Sequence, residues 1–350
     1  NMATMFSPAL HRQRHQFVID FVNLNKPKKV LDLGCSECRL LKTLKFHRDI
    51  ELLAGLDIND SPCMFFRHKL APVSTDYLQP SYDQLRIELY QGSVTQKDSR
   101  LRGFDLVTSI ELIEHLSLAD VELFSAVVFG YMTPVAVIVS TPNSEFNLLL
   151  PGVSGFRHID HKFEWTRAEF RSWALKVCLD YGYEVEFTGV GQAPQEQQDS
   201  VGFCSQIGVF QRLGGRNGSN SPCEHLLPQW QQLYSVNYPS LRDNNMLRKV
   251  LVSEVLGSAA NLMSRWLEEK TTGNGDGAVP LCQTEGGGEE FLSELYVSVP
   301  LAVLWSCCPK VSELSGSVGN LRHLLMGNPD IKLNQDSSAV LITHQEQGTV

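Results

Sequence analysis

No apolar run in these 350 residues approaches the ~20 that a membrane-spanning helix needs, so no span is expected. No secretory pattern opens the chain either, and both absences lead us to expect a soluble, reduced, cytoplasmic protein. Nine cysteines are present without paired metal-ligand spacing. Cys35-x-x-Cys38 has no second pair and Cys35 falls in a glycine turn, so zinc is not expected there; the adjacent Cys307 and Cys308 read as reduced thiols. An excess of positive charge is missing too. The chain has 30 Lys and Arg against 39 Asp and Glu, a net charge of −9, which argues against a broadly basic nucleic-acid groove. Residues 1–214 carry 21 basic against 25 acidic side chains, and residues 215–350 carry 9 against 14. The basic charge is local instead: Arg12, Arg14, Lys26, Lys28 and Lys29 face only Asp20 in the first 29 residues, and Arg157, Lys162, Arg167 and Arg171 form a second group. Such a small footprint suits gripping the end of a strand rather than a long duplex.

A hydrophobic content of 43% is ample for the core of one domain of about 200 residues, with a second region after it. Residues 28–34 are a short apolar strand ending in Asp32-x-Gly34, followed by a helical stretch to about His47. Residues 51–58 are a second buried strand ending in Asp57, placed to accept hydrogen bonds from ribose hydroxyls. The three-glycine dinucleotide fingerprint is absent, because Cys35-Ser36-Glu37 follows Gly34. That suits S-adenosylmethionine, which has no pyrophosphate to seat on a helix N-terminus. A third strand, 87–93, brings Ser93 to the same edge, to contact adenine or its ribose. Residues 104–110 and the continuously apolar 135–142 add two more strands of the doubly covered, parallel kind. Thr166-x-x-Glu169 is a capping box opening a helix whose Phe170, Trp173, Ala174, Val177, Cys178 and Tyr181 keep helical spacing, which makes Trp173 a core residue and not a base-stacking platform. Residues 184–190 and 204–210 are two last strands, joined too briefly for a crossover helix and therefore antiparallel. Seven strands, helices on both faces and a terminal hairpin describe an α/β fold of the class I, Rossmann-like S-adenosylmethionine-dependent methyltransferase type.

Glu111-x-x-Glu114-His115 follows the fourth strand, on the carboxyl-end face where such sheets bind ligands. If the segment turns helically, these side chains share one side, and two carboxylates beside an imidazole need something cationic between them. One imidazole from the loop at 157–165 completes a two-Glu, two-His shell; His161 is preferred, and spacing leaves His158 open. The mixed oxygen and nitrogen donors suit one divalent ion, Mg²⁺ or Mn²⁺, with Co²⁺ workable in vitro.

FSPALHRQRH at 6–15, ELIEHL at 111–116, STPNSEFN at 140–147 and DHKFEWTR at 160–167 resemble the signatures of the small-RNA 3′-terminal 2′-O-methyltransferases, and among them the animal branch that methylates piRNAs. The likeness covers roughly residues 6–213; Ser36 departs from it, standing where the family has a second glycine. It implies metal ligands, and with them catalysis, at Glu111, Glu114, His115 and His161. It implies cofactor contacts around Asp32, Gly34, Asp57 and Ser93, and an RNA-end-contacting segment within 1–29. The implied partners are the 3′ end of a single-stranded small RNA and a small-RNA-carrying Argonaute or Piwi-type protein, with no membrane. The chain is expected to be a monomer, in the cytoplasm and in germ-line RNA granules. Both hydroxyls of the last ribose would be read, so a 3′-phosphate or 2′-deoxy end should be rejected, with His115 as the proton acceptor and weak base preference.

Two other readings stay open on residues alone. A small-molecule or protein methyltransferase would use the same cofactor elements but would not need four metal ligands. A non-catalytic RNA-binding module should have lost Asp57, Glu111, Glu114, His115 or His161, and all are present. After residue 213 the character changes: 214–222 is a linker by composition, 247–267 has helical periodicity, 271–288 is rich in Gly and acid and reads as disordered, and 296–305 suits a strand or a buried helix. The role of 223–350 is not legible.

Overall fold

The computed structural model describes residues 5–214, 227–273, 283–285 and 295–344. They form two compact units, residues 1–72 with 83–238, and residues 73–82 with 239–350. In the first, strands β1 (Lys29–Leu33), β2 (Leu52–Asp57), β3 (Arg86–Gln91), β4 (Leu106–Ile110), β5 (Ala136–Pro142), β6 (Tyr183–Val190), β7 (Ser205–Arg212) and β8 (Gln231–Asn237) build one sheet in the order β6-β7-β5-β4-β1-β2-β3-β8. β1 to β5 run parallel, while β7 lies antiparallel to both β5 and β6, as expected from their short connection. The central strands β1, β2, β4 and β5 are mostly apolar because both faces are covered. Alternate residues divide between two cores: Leu31, Leu33, Val107, Val137 and Val139 belong to one, Val30, Leu106, Ala136 and Ile138 to the other.

The second of these cores is closed by helices α1 (Leu10–Asn25), α2 (Arg39–Leu44) and α3 (Asp60–Phe66), through Val18, Val22, Leu40, Leu41 and Cys63. The first is closed by α4 (Leu118–Ser125), which continues as a wider turn to Met132, and by α5 (Arg167–Tyr181). The capping box of α5 is formed: Glu169 N–H donates to Thr166 Oγ1 at 3.2 Å, and Thr166 N–H donates to Glu169 Oε2 at 2.8 Å. Trp173 is buried in the core and donates to Ser125 Oγ at 3.1 Å. A short helix, α6 (Gln198–Val201), lies between β6 and β7.

The sheet has eight strands rather than seven. β8 pairs antiparallel with β3, so the first unit extends to Tyr238, past the boundary expected at residue 213. Gln231, Gln232, Ser235 and Asn237 make it a polar edge strand, without the apolar run that marks buried strands in a sequence. Its anchor is the buried Trp230. The amides of Gln229 and Trp230 donate to Asp98 Oδ2 at 3.0 Å each, and the indole Nε1 donates to the Ser93 carbonyl at 3.1 Å. The expected linker lies almost wholly outside the described residues, which resume at 227.

The second unit has its own core. Helix α7 (Asn244–Thr272), capped by Asp243, is followed by β9 (Gln283–Glu285), β10 (Leu295–Pro300), α8 (Leu301–Cys307), α9 (Pro309–Ser315), α10 (Val318–Leu325) and β11 (Ala339–His344). β10 pairs antiparallel with β11 on one side and β9 on the other. Leu251, Val255, Val297, Leu304, Val311, Leu321 and Val340 are among the side chains buried together. Residues 296–305 are thus strand and then helix, divided at Pro300. Of the stretch expected to be disordered, 271–272 end α7 and 283–285 form β9; residues 274–282 and 286–288 lie outside the described residues. No described helix is long and apolar enough to cross a membrane.

Gly92 lies under the Trp230 ring, where a Cβ would meet a ring carbon at 2.3 Å. Gly92→Ala should therefore destabilise the first unit by about 1–3 kcal/mol. Most of that loss should disappear in a Trp230→Ala background, a coupling that a double-mutant cycle by chemical denaturation reads directly.

Candidate active site

The carboxyl ends of β1, β2 and β3 carry the expected cofactor residues. Gly34, at a φ of 74° that favours glycine, turns the chain so that its own amide and that of Cys35 donate to the Leu56 carbonyl at 2.7 and 3.1 Å. The next amide, of Ser36, donates to Asp57 Oδ2 at 2.8 Å, and Asn59 N–H donates to Oδ1 at 2.9 Å. Gly92 N–H donates to the Asp57 carbonyl at 3.0 Å, which sets Ser93 beside it; Ser93 Oγ and Thr95 Oγ1 lie 2.7 Å apart. A cavity of about 400 Å³ opens at this edge, lined among others by His11, Arg14 and His15 of α1 and by Asp32, Gly34 and Glu111. Its size is within the usual range of ligand sites. Asp57, at the end of β2, and Ser93, two residues past the end of β3, are not part of its lining.

Asp32 is buried and accepts a hydrogen bond from Thr108 Oγ1 at 2.7 Å. Burial outweighs that bond and pushes its carboxyl up to about 7. His15 is pushed down to about 4 by burial and by the neighbouring Arg14 charge, so its ring is neutral at pH 7.

At the end of β4 the arrangement differs from a single helical face. Glu111 N–H still donates to the Ser140 carbonyl of β5, at 3.0 Å, so Glu111 belongs to the strand end. Its φ is 51°, and the helical turn begins only afterwards, as a single 3-10 turn over Ile113–His115. The two glutamates consequently diverge. Glu111 Oε1 accepts from Arg14 Nη1 at 3.0 Å and from Ser205 Oγ at 2.9 Å. Glu114 is fully buried, with Oε2 accepting from Thr141 Oγ1 at 3.0 Å and Oε1 having no partner among the described residues.

His115 and His161 complete that pocket. One ligand atom each from Glu114, His115 and His161 lies within 4.8 Å of the others. The imidazoles of His115 and His161 stand edge to face, their centroids 4.8 Å apart. His161 is held by Glu164, whose Oε1 lies 2.6 Å from its Nδ1, leaving Nε2 as the ring's other donor. Glu164 is itself fixed by Asn147 Nδ2 at 2.7 Å and by the Arg157 amide at 2.6 Å. Lys162 N–H donates to the Glu114 carbonyl at 2.7 Å, tying the histidine loop to the 3-10 turn. His158 is exposed and outside the group. Burial, and then the charge of Glu111, holds the Glu114 carboxyl well above the usual carboxylate range. Burial, followed by the charges of His161 and His158, lowers His115. Sequence reasoning missed Arg14 as the partner of Glu111 and Glu164 as the support of His161, although both lie within the segments quoted as signatures.

The sheet order, the terminal antiparallel pair and ligand-facing loops on one edge define a class I S-adenosylmethionine-dependent methyltransferase fold. A family model described as the HENMT1 C-terminal domain matches residues 245–344. The small RNA 2′-O-methyltransferase of Gallus gallus is 43% identical over 365 residues, covering 98% of this chain and 96% of that protein. That of Mus musculus is 40% identical over 362 residues, covering 96% of this chain and 90% of that protein. A crystal structure of the small RNA methyltransferase HEN1 is similar at 30% identity with a TM-score of 0.58, over 68% of this chain and 28% of that one. The chain belongs to the small RNA 2′-O-methyltransferase family.

Asp32 gives this site a measurable pH signature. Well below pH 4 its carboxyl is protonated in folded and unfolded chains alike and has no differential effect. Between there and about 7 the unfolded chain ionises while the fold does not, so stability falls as pH rises, and the whole penalty is present above 7. Asp32→Asn, free of cofactor, should be stabilised over the parent at pH 8 by up to about 4 kcal/mol and by under about 1 kcal/mol at pH 4. Equal differences at both values in denaturant melts would mean that Asp32 titrates normally.

Proposed function

We propose that the chain transfers the methyl group of S-adenosylmethionine to the 2′-hydroxyl of the 3′-terminal nucleotide of single-stranded small RNAs, piRNAs among them. We assign one divalent cation, Mg²⁺ or Mn²⁺ with Co²⁺ as a substitute in vitro, to Glu114, His115 and His161, with Glu111 as the fourth residue at the same strand end. The observation that carries the reading is a fully buried glutamate whose Oε1 has no partner among the described residues and which offers a ligand atom within 4.8 Å of one on each of two imidazoles. A buried carboxylate needs a cation or a donor, and the neighbouring Arg14 is paired with Glu111. Oxygen and imidazole donors suit a divalent ion of intermediate hardness. When bound, such an ion supplies Lewis acidity to the vicinal hydroxyls of the terminal ribose.

The residues of the chain do the rest. Glu164 fixes the ring orientation of His161. His115, lowered by burial, is neutral near pH 7, and its one basic lone pair is the one it offers the cation, so the 2′-hydroxyl proton leaves to solvent as that oxygen attacks the methyl carbon of the sulfonium and S-adenosylhomocysteine departs. Asp57, held by the Ser36 and Asn59 amides, is offered to the cofactor ribose, and Gly34 admits the cofactor close to the backbone. Arg12 of α1 supplies local positive charge for the RNA end. The same reading has the RNA delivered by an Argonaute or Piwi-type carrier, in the cytoplasm and its germ-line granules.

Three otherwise identical single-stranded RNAs ending in a 2′,3′-diol, a 3′-phosphate or a 3′-deoxyribose test the site. Only the diol should be methylated, in a reaction that EDTA abolishes and that Mn²⁺ or Co²⁺ restores at least as well as Mg²⁺. Equal methylation of all three ends, read by mass spectrometry of the terminal nucleoside, would sink the assignment.

The histidine pair separates in a second experiment. Glu164→Gln should lower metal affinity or activity about 10–100-fold and His161→Ala should remove most of the activity, both with cofactor affinity intact. His158→Ala should remain near the parent in turnover; the reverse ranking of the two histidines would move the ligand to His158.

A further inference from the structure

Cys35, Cys38 and Cys63 bring three thiols together inside the first unit, beneath the loop that holds Asp57. Their sulfurs lie within 4.8 Å of one another, with Cys35 Sγ and Cys63 Sγ 3.5 Å apart. The side chains are 5%, 1% and 0% exposed. Two come from the turn between β1 and α2 and the third from α3, 25 positions after Cys38, so the lack of a second Cys-x-x-Cys pair did not reveal the cluster. The turn is bent to make it. Ser36 and Cys38 both adopt left-handed backbone, at φ 43° and 59°, which non-glycine residues hold only when their surroundings impose it. The polar neighbours of the sulfurs are one another and the Ser36 carbonyl oxygen, 3.4 Å from Cys63 Sγ and 3.7 Å from Cys38 Sγ.

We propose that Cys35, Cys38 and Cys63 form a three-thiolate site for a thiophilic d¹⁰ cation, Zn²⁺ or Cu⁺, separate from the Glu114–His115–His161 group. Soft thiolates select such ions over Mg²⁺ or Mn²⁺. An ion ~2.3 Å from each sulfur needs sulfurs about 3.8–4.0 Å apart; here Cys35 Sγ and Cys63 Sγ are 3.5 Å apart and no pair exceeds 4.8 Å. Each cysteine coordinates as its thiolate, the protons leaving to solvent, and the Ser36 oxygen is available to a four-coordinate ion. Loading would staple the cofactor turn to α3. Because the Ser36 amide holds Asp57, the staple fixes the ribose-binding carboxylate as well.

The test uses the full chain, kept reduced with a phosphine, in a Glu114→Gln/His161→Ala background that removes the other candidate site. Titrated with Co²⁺, it should develop thiolate-to-cobalt charge-transfer absorption saturating at one equivalent, which Zn²⁺ or Cu⁺ then bleaches. Competition against chromophoric chelators for each ion shows which is held more tightly. Cys63→Ser and, independently, Cys38→Ser should each abolish the band or weaken binding at least about 10-fold, with thermal melts confirming that one or both variants fold. Absence of the band in the folded, reduced chain, its survival in a folded cysteine variant, or formation of a Cys35–Cys63 disulfide in place of ion binding would overturn the proposal.

Discussion

One desolvated carboxylate organises the end of β4 and the loop packed against it. Glu114 sits at zero exposure with one oxygen satisfied by Thr141 and the other by nothing among the described residues. A group in that position is tolerable only if it keeps a proton or meets a cation, because the ionised form has lost its hydration. The surroundings are built to present it. The 3-10 turn fixes its backbone, the Lys162 amide binds its carbonyl, and that bond draws in the loop that carries His161. Glu164, Asn147 and Arg157 then lock the imidazole. Removing the charge from the centre would leave an oriented set of donors with nothing to face.

Glu111 was read with Glu114 as a pair, and the structure separates their duties. Its strand-end backbone keeps the sheet bond to Ser140 while its carboxylate reaches Arg14 on α1. The ion pair is mostly buried at both ends, with side chains 17% and 19% exposed, so it is screened less than a surface pair would be. Arg14 and Glu111 both line the cavity at the cofactor edge. The N-terminal helix is therefore part of the wall between the two halves of the site: its Arg14 meets the acid at the end of β4, and its Gln13 accepts from the Gly191 amide at 3.0 Å at the end of β6. A change in charge at Glu111 must be felt in the docking of α1.

Much of this was legible in the chain because the strands are doubly covered. Continuous apolar runs such as 135–142 and acids or glycines at strand ends are direct consequences of parallel pairing and ligand approach, and they survive translation into sequence. The capping box of α5 is likewise local chemistry. What was not legible is what depends on a single dihedral or on a distant partner. Nothing in ELIEH announces that Glu111 adopts a φ of 51° and leaves the helical turn. Nothing in QQLYSVN announces a strand, because an edge strand with polar side chains is stabilised by its ladder to β3 and by Trp230 rather than by an apolar face.

Trp230 also shows why the methyltransferase sheet does not end where its similarity in pattern ends. The indole covers Gly92, bonds the carbonyl of Ser93 and follows an amide that binds Asp98, whose carboxyl lies down at about 2. Its burial opposes ionisation, but Arg100 and the amides of Trp230 and Arg100 outweigh that opposition. The end of β3 is thus clamped from outside the seven-stranded pattern. Ser93 owes its position as much to a residue 137 places later as to the strand before it, so this edge of the sheet is stiffened from outside the strands that the sequence pattern marks.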